Sequence, residues 1–363
     1  VTVTLAYITF ISLARVGKQL IDAIFSEAVR AAVTKWRSHL TIKQVIDHLQ
    51  HPVALGQLLL PAIEQELRAR NCSRKDVKNL AWANPCLHLQ TAFDPGALPD
   101  TPTDFRPVPD AEGVLLAKVT AIACLATIDS DSVSYGSENH GDLFVNLVVI
   151  PPGKGAFSDK STGKMSGHTD AVSFPIRGHR DPLNDRIAPS PDFVCLSSLR
   201  NPNEVPTTVM PLDQLMTHLS EAHIQELQKP QYILGSQLTF RDGMEGILGE
   251  ELMVDDAQLL YEMQGKWWIR FSHRTTQIAD TRQISAQEAM DALKEACAHC
   301  VVPLALAPGD IALVNNRIAL HGRTEVGQES GGQTRWLLRT YGLDTSDIDP
   351  GQRHGDSPFM LFP

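Results

Sequence analysis

The sequence predicts an α+β fold: a double-stranded β-helix (jelly roll) core with inserted helices, behind a helical N-terminal extension. Three observations predict it. Apolar residues recur at helical spacing through the first third of the chain. Five prolines crowd the connection from Asp94 to Asp110, which sets that third apart. Beyond it, short apolar runs are punctuated by Pro and Gly, a pattern that suits two antiparallel sheets better than a parallel βαβ alternation. The expected organisation is a helical segment over residues 1–110, packed on a core over 111–345, and a tail over 346–363.

Taken in order, Val16, Leu20, Ile21, Ile24 and Phe25 predict helix from about residue 16 towards residue 50. Thr41 suits an N-cap for a helix through Val45 and Leu49. A further helix is predicted over 53–70, kinked or restarted at Pro61. The apolar run from Gly113 to Ile128 suits a buried helix or a strand; the reading taken is a helix packed on a sheet. Strands are expected at Leu143–Ile150, Phe193–Leu199, Trp267–Phe271, Ile311–Val314 and Trp336–Tyr341. Leu212, Leu215, Leu219 and Leu227 predict one helix over 211–228, and the capping box Ser285-x-x-Glu288 opens another through Cys297.

Composition excludes several classes of function. The net charge is −10 over 363 residues, with no basic block, so nucleic acid is not an expected partner. The apolar start, Val1 to Ala14, lacks a basic leader and a cleavage site and is too short to span a bilayer. The six cysteines are scattered except for Cys297-Ala-His-Cys300, a lone half-motif that is poor grounds for zinc. Reduced thiols and a cytoplasmic location are the expectation. There is no phosphate-binding glycine loop, no nucleophile elbow and no internal repeat.

The chemistry is concentrated in Gly167-His168-Thr169-Asp170 and Leu320-His321-Gly322-Arg323. On a strand, side chains at i and i+2 share a face, so His168 and Asp170 can converge on one metal. His321 completes two imidazoles and one carboxylate, a set that leaves positions open and suits non-haem Fe(II).

These motifs resemble the Fe(II)- and 2-oxoglutarate-dependent oxygenases, most of all the clavaminate-synthase-like, asparagine/arginine hydroxylase (TauD-related) group. His168-Thr169-Asp170 resembles the proximal metal motif. Pro191–Leu196, Leu199–Pro202 and Pro206–Thr208 resemble the strand–turn–strand that follows it. Gly309–Arg317, leading into Ala319–Arg323, resembles the distal histidine strand, and Arg335–Arg339 the closing strand. The resemblance covers roughly residues 110 to 345 and implies metal ligands His168, Asp170 and His321. It implies Arg335 for the far carboxylate of 2-oxoglutarate, since a planar guanidinium binds a carboxylate bidentately, with Thr208 adding a hydroxyl. Arg339, Asn139 and Asn146 are the implied substrate residues, while Arg323 suits a supporting role.

The activity implied is oxidation by Fe(II), 2-oxoglutarate and O₂, with release of succinate and CO₂ and hydroxylation of an unactivated carbon of a free L-amino acid. Lysine is the first named substrate. A desaturase or cyclising oxidase on the same iron, and a non-catalytic jelly-roll binding protein, are the alternatives. Asp170 stands where close amino-acid hydroxylases often carry Glu, and it argues against a halogenase. The segment Val172–Ser190 is longer than expected and charged, suiting either a substrate loop or a solvated one. Acidic residues that follow the Trp267–Phe271 strand in arginine-hydroxylating relatives are replaced by Ser272-His273-Arg274, leaving Asp255 and Asp256 upstream as negative charges.

Overall fold

A computed structural model describes residues 2–263 and 265–363, with residues 2–16 as backbone alone. The chain opens with four helices: α1 (Thr2–Arg37), α2 (Ile42–Leu49), α3 (Pro52–Ala69) and α4 (Arg74–Ala83). Thr41 caps α2 in a reciprocal box with Gln44. Pro61 does not end α3, whose Leu55, Leu59, Ile63 and Leu67 bury a continuous stripe. Tertiary packing here outweighs the missing hydrogen bond that predicted a break. Strand β1 (Cys86–Leu89) follows, then α5 (Glu112–Thr127), which is helix as expected. Nearly every residue of α5 is buried, because it lies between α3 and the sheet. Gly56 permits that approach: a Cβ there would sit 2.7 Å from the Ala126 Cβ.

The remaining chain runs β2 (Asp131–Tyr135), β3 (Val145–Leu147), α6 (Ala156–Thr162), β4 (Met165–His168), β5 (Phe193–Arg200) and β6 (Thr207–Pro211). Next come α7 (Leu212–Thr217), α8 (Glu221–Leu227), β7 (Tyr232–Leu234), α9 (Leu238–Leu248), β8 (Val254–Ala257), β9 (Leu260–Met263), β10 (Lys266–Ile269) and β11 (Thr276–Ile278). It closes with α10 (Ile284–His299), β12 (Val302–Leu304), β13 (Ile311–Asn315), β14 (Ala319–Arg323), β15 (Trp336–Leu343) and β16 (Met360–Leu361).

The result is a mixed helix-and-sheet protein. The larger sheet has the order β1-β13-β5-β15-β2-β16, with β3 also pairing β15. A second sheet has the order β12-β6-β14-β4, and β7–β11 make two small sheets beside it. Strand alternation divides the larger sheet between two cores. Phe193, Cys195, Leu313 and Leu338 face the helices. Val194, Leu196, Ala312 and Leu337 face inwards, where they share a cluster with Val209 and Ala319 of the second sheet. Both faces are covered, so these strands read as unbroken apolar runs.

Three elements differ from expectation. The 211–228 helix is two, because Ser220 caps a second start by accepting from the His223 N–H. Helix α10 begins at Ile284, before the expected cap Ser285. The Leu143–Ile150 strand is pared to β3, flanked by loops. Strand β1, from the helical third, hydrogen-bonds along β13 and ties that third into the larger sheet. Among the described residues no helix is long and apolar enough to cross a membrane.

Candidate active site

The second sheet brings the two histidines together. β14 pairs β4 antiparallel, with His321 opposite His168 in register. Two glycines let the strands carry this. A Cβ at Gly322 would lie 2.3 Å from the Met165 carbonyl oxygen, and one at Gly167 would lie 2.6 Å from Met210 Sδ. Asp170 arrives differently from the strand argument. β4 ends at His168, and Asp170 sits in the turn beyond it. Asn316, just past β13, holds that turn: its Oδ1 accepts from the Asp170 N–H at 2.9 Å, and its Nδ2 donates to the carbonyls of Asp170 and Pro191.

The Asp170 carboxylate lies 3.6 Å from His168 Nε2 and 3.4 Å from His321 Nε2, and all three side chains are buried. Their ligand atoms fall within 4.8 Å of one another. His168 Nδ1 is 2.9 Å from the Ser166 carbonyl oxygen, so that nitrogen carries the proton and Nε2 presents a lone pair. Burial pushes the Asp170 carboxyl up, but the two imidazoles and the Arg339 guanidinium outweigh it and hold it well below the usual range. Burial, then the neighbouring His168, lowers His321, while Asp170 opposes that shift. An ionised carboxylate with two neutral imidazoles is the donor set that Fe(II) takes.

The triad opens on a pocket between the two sheets. Arg335 lines it, buried, with Nε lacking any partner and no carboxylate paired to it among the described residues. Burial and the nearby Arg323 lower it to about 9. Arg323 also reaches the pocket, yet its guanidinium is engaged by the carbonyls of Lys160 and Gly163. Arg339 lies in the pocket wall, ion-paired to the buried Glu138 and stacked 4.4 Å over the Tyr341 ring. Burial opposes its charge, but Glu138 more than compensates and raises Arg339 above its usual value. Asn139, at φ 48°, lines the same pocket.

Two predicted residues are turned away. Thr208 pairs with Gly322, on the face of β6 opposite to Val209, and it is Thr207 that lines the pocket. Asn146 is spent on structure: it donates to the carbonyls of Asp104 and Pro107 and accepts from Trp336 Nε1 at 2.9 Å. Its neighbours Val145 and Leu147 face the pocket instead. Nor does the charged segment 172–190 enter the pocket. Arg177 pairs with Asp344, Asp347 and Asp192, Arg180 pairs with Asp349, and Arg186 stacks on Phe362. Asp255 and Asp256 are exposed and outside the lining.

Sequence reasoning missed Thr207, Asn316, Glu138 and Lys160. Strand alternation from Val209 would have found Thr207. Glu138 lay one residue from the chosen Asn139. Lys160 gives no sequence signal.

The profile of the taurine catabolism dioxygenase TauD, TfdA family matches residues 261–341, the stretch holding His321, Arg335 and Arg339. An L-lysine 3-hydroxylase of Catenulispora acidiphila is 27% identical over 221 residues, covering 58% of this chain and 54% of that protein. An L-asparagine oxygenase of Streptomyces coelicolor is 43% identical over 60 residues, or 16% of this chain and 18% of that protein. The chain thus spans about half the length, or less, of these curated relatives. In fold it is similar to an asparagine oxygenase solved with Fe(II), 3-hydroxyasparagine and succinate (TM-score 0.65, 20% identity, 89% of this chain and 98% of that one). It is also similar to the non-haem iron oxygenase OrfP solved with Fe and α-ketoglutaric acid (TM-score 0.70, 19% identity, 93% and 97%). Over residues 261–341 the chain is similar to the TauD, TfdA family, in sequence it is similar to amino-acid hydroxylases, and in fold it is similar to asparagine oxygenase and OrfP.

Proposed function

We propose that the chain is an Fe(II)- and 2-oxoglutarate-dependent oxygenase that hydroxylates an unactivated carbon of a free L-amino acid. One observation carries the reading: two imidazoles and a carboxylate open on the same pocket as a buried guanidinium with no counter-ion among the described residues. Curated relatives that act on lysine and asparagine support it.

His168, Asp170 and His321 would hold the metal. Arg335 would take the far carboxylate of 2-oxoglutarate in a charge-assisted, bidentate contact, with the Thr207 hydroxyl beside it. Glu138 and Arg339 offer opposite charges side by side, the complement of a zwitterionic head group: Glu138 for the ammonium, Arg339 for the carboxylate. Asn139 is a further polar contact. Bound Fe(II) supplies the redox chemistry, in which 2-oxoglutarate, O₂ and R–H become succinate, CO₂ and R–OH. The protein's part is to fix both acids and keep the pocket walled by Val, Leu and Met, away from bulk water.

We read the two sheets that share a core as the double-stranded β-helix, covering residues 111–345, with the helices of 1–110 as an extension on it. Six free thiols suit a reducing compartment such as the cytoplasm. The partner is a small molecule, with neither nucleic acid nor membrane involved. Desaturation or ring closure on the same centre is separated by mass: a gain of one oxygen marks hydroxylation, a loss of two hydrogens the alternatives. A non-catalytic binding protein has no use for the triad.

The test is succinate release in air that requires Fe(II), 2-oxoglutarate and an amino acid. His168→Ala should abolish both it and iron binding; full succinate release by that variant refutes the assignment. Lysine, the first substrate suggested, rests on the acidic composition and the lysine 3-hydroxylase relative. The pocket bears on that choice directly.

A further inference from the structure

One charge in the pocket is unused by the chemistry proposed above. Lys160, on α6, is half-buried and lines the pocket with the triad. Among the described residues its ammonium has no ion-pair partner. The charges acting on it are Glu138, Arg339, Asp170 and Arg274, whereas the one acting on Arg335 is Arg323. Arg335 and Arg339 are given above to the carboxylates of 2-oxoglutarate and of the amino-acid head group, and Arg323 is engaged by backbone carbonyls, which leaves Lys160 as the uncommitted cation of the lining.

Among the described residues the pocket has no carboxylate to spare. Asp170 sits between the two histidines, and Glu138, beside Arg339, is already given to the head-group ammonium. Among the described residues Asp170 is the one Asp or Glu in the lining, and Asp242, on α9 three residues beyond the lining Thr239, is exposed. Arg274, exposed, adds a second positive charge. A cationic side chain entering here would meet an ammonium and find no anion. A side-chain carboxylate would meet an uncommitted donor of opposite charge.

We propose that Lys160 determines substrate choice and that the amino acid taken is acidic, its side-chain carboxylate accepting from Lys160 Nζ. This rests on the free-amino-acid oxygenase reading and narrows it to one chemical class.

The test is calorimetric titration, without O₂, of the protein loaded with Fe(II) and 2-oxoglutarate. The ligands are L-aspartate, L-glutamate, their amides, L-lysine and L-arginine. One acidic amino acid should bind about tenfold or more tightly than every amide and basic one. Lys160→Gln should remove that preference and Lys160→Glu reverse it, with the visible band of the Fe(II)–2-oxoglutarate complex retained in both. Tightest binding of a basic or amide ligand, or of none, while the band forms normally overturns the inference and leaves the oxygenase reading standing. An unchanged preference in folded Lys160→Gln also overturns it. A wild-type protein without the band overturns both.

Discussion

The Glu138–Arg339 pair permits a quantitative test because both members are buried and each has an orphan atom. Their side chains are 4% and 11% exposed, and among the described residues Glu138 Oε1 and Arg339 Nε have no partner. Removing one member leaves the other charged and unpaired in the interior, which costs about 3–5 kcal/mol. Arg339→Met also forfeits the stacking on Tyr341, about 1 kcal/mol for a cation–π contact. Arg339→Met is therefore expected to destabilise the metal-free protein by about 4–6 kcal/mol. Glu138→Gln keeps a carbonyl acceptor and should cost less, about 2–3 kcal/mol. Removing both charges relieves the stranded ion, so the double variant should be more stable than the sum of the singles predicts. A coupling of about 2 kcal/mol follows, within the range for groups in direct contact. Urea unfolding of the wild type, both singles and the double closes the cycle. An Arg339→Met cost under about 1 kcal/mol, or additive singles, would refute the reasoning that the pair is a desolvated unit.

Three further outcomes follow from the geometry. Thr207→Val should raise the 2-oxoglutarate KM several-fold while Thr208→Val leaves it near wild type, because only Thr207 lines the pocket; steady-state succinate assays separate them. Asn146→Ala should cost about 1–3 kcal/mol by stranding the buried Trp336 indole N–H, with substrate KM unchanged, as read by unfolding and kinetics together. Burial lowers Lys160 to about 8, against the opposing pull of Glu138, so it is charged below that pH and neutral above. Its folded value lies below the ordinary lysine value of about 10.4, so deprotonation stabilises the fold between those two points. Affinity for an acidic amino acid should accordingly fall as pH rises through about 8, and Lys160→Gln should show no such step.

What the sequence made legible was whatever local periodicity or motif order encodes. β5, β13 and β15 are apolar runs closed by turn residues, and α5 is a long buried run; all four stand close to where they were expected. The two histidines were legible for the same reason, as strand residues in ordered motifs. Asp170 was found on an incomplete argument, since its position is fixed by the side chain of Asn316, 146 residues away. Thr208 and Asn146 failed through facing. A one-residue shift on a strand reverses the side presented, and nothing local said which face of β3 or β6 was the pocket. β1, α6 and α9 are short, and their positions depend on what they pack against.

The tail shows how far such support can lie from the chemistry. As sequence, 346–363 is a polar end to the chain. In the fold, β16 runs parallel to β2, and Gly136 donates to the Leu361 carbonyl. Ser137 Oγ donates to the Pro363 carbonyl, and Met360 packs so closely on Gly141 that a Cβ there would lie 2.3 Å from its methyl carbon. Gly141, at φ 79°, suits the turn in both conformation and space. These contacts bracket Glu138 on both sides. The charges of 172–190 hold the other end of the same tail, through Arg177 to Asp347 and Arg180 to Asp349. Segment and tail thus form one brace behind the turn that presents Glu138 to Arg339. A charged stretch that suited either a substrate loop or a solvated one stays out of the pocket lining and steadies the backbone behind it.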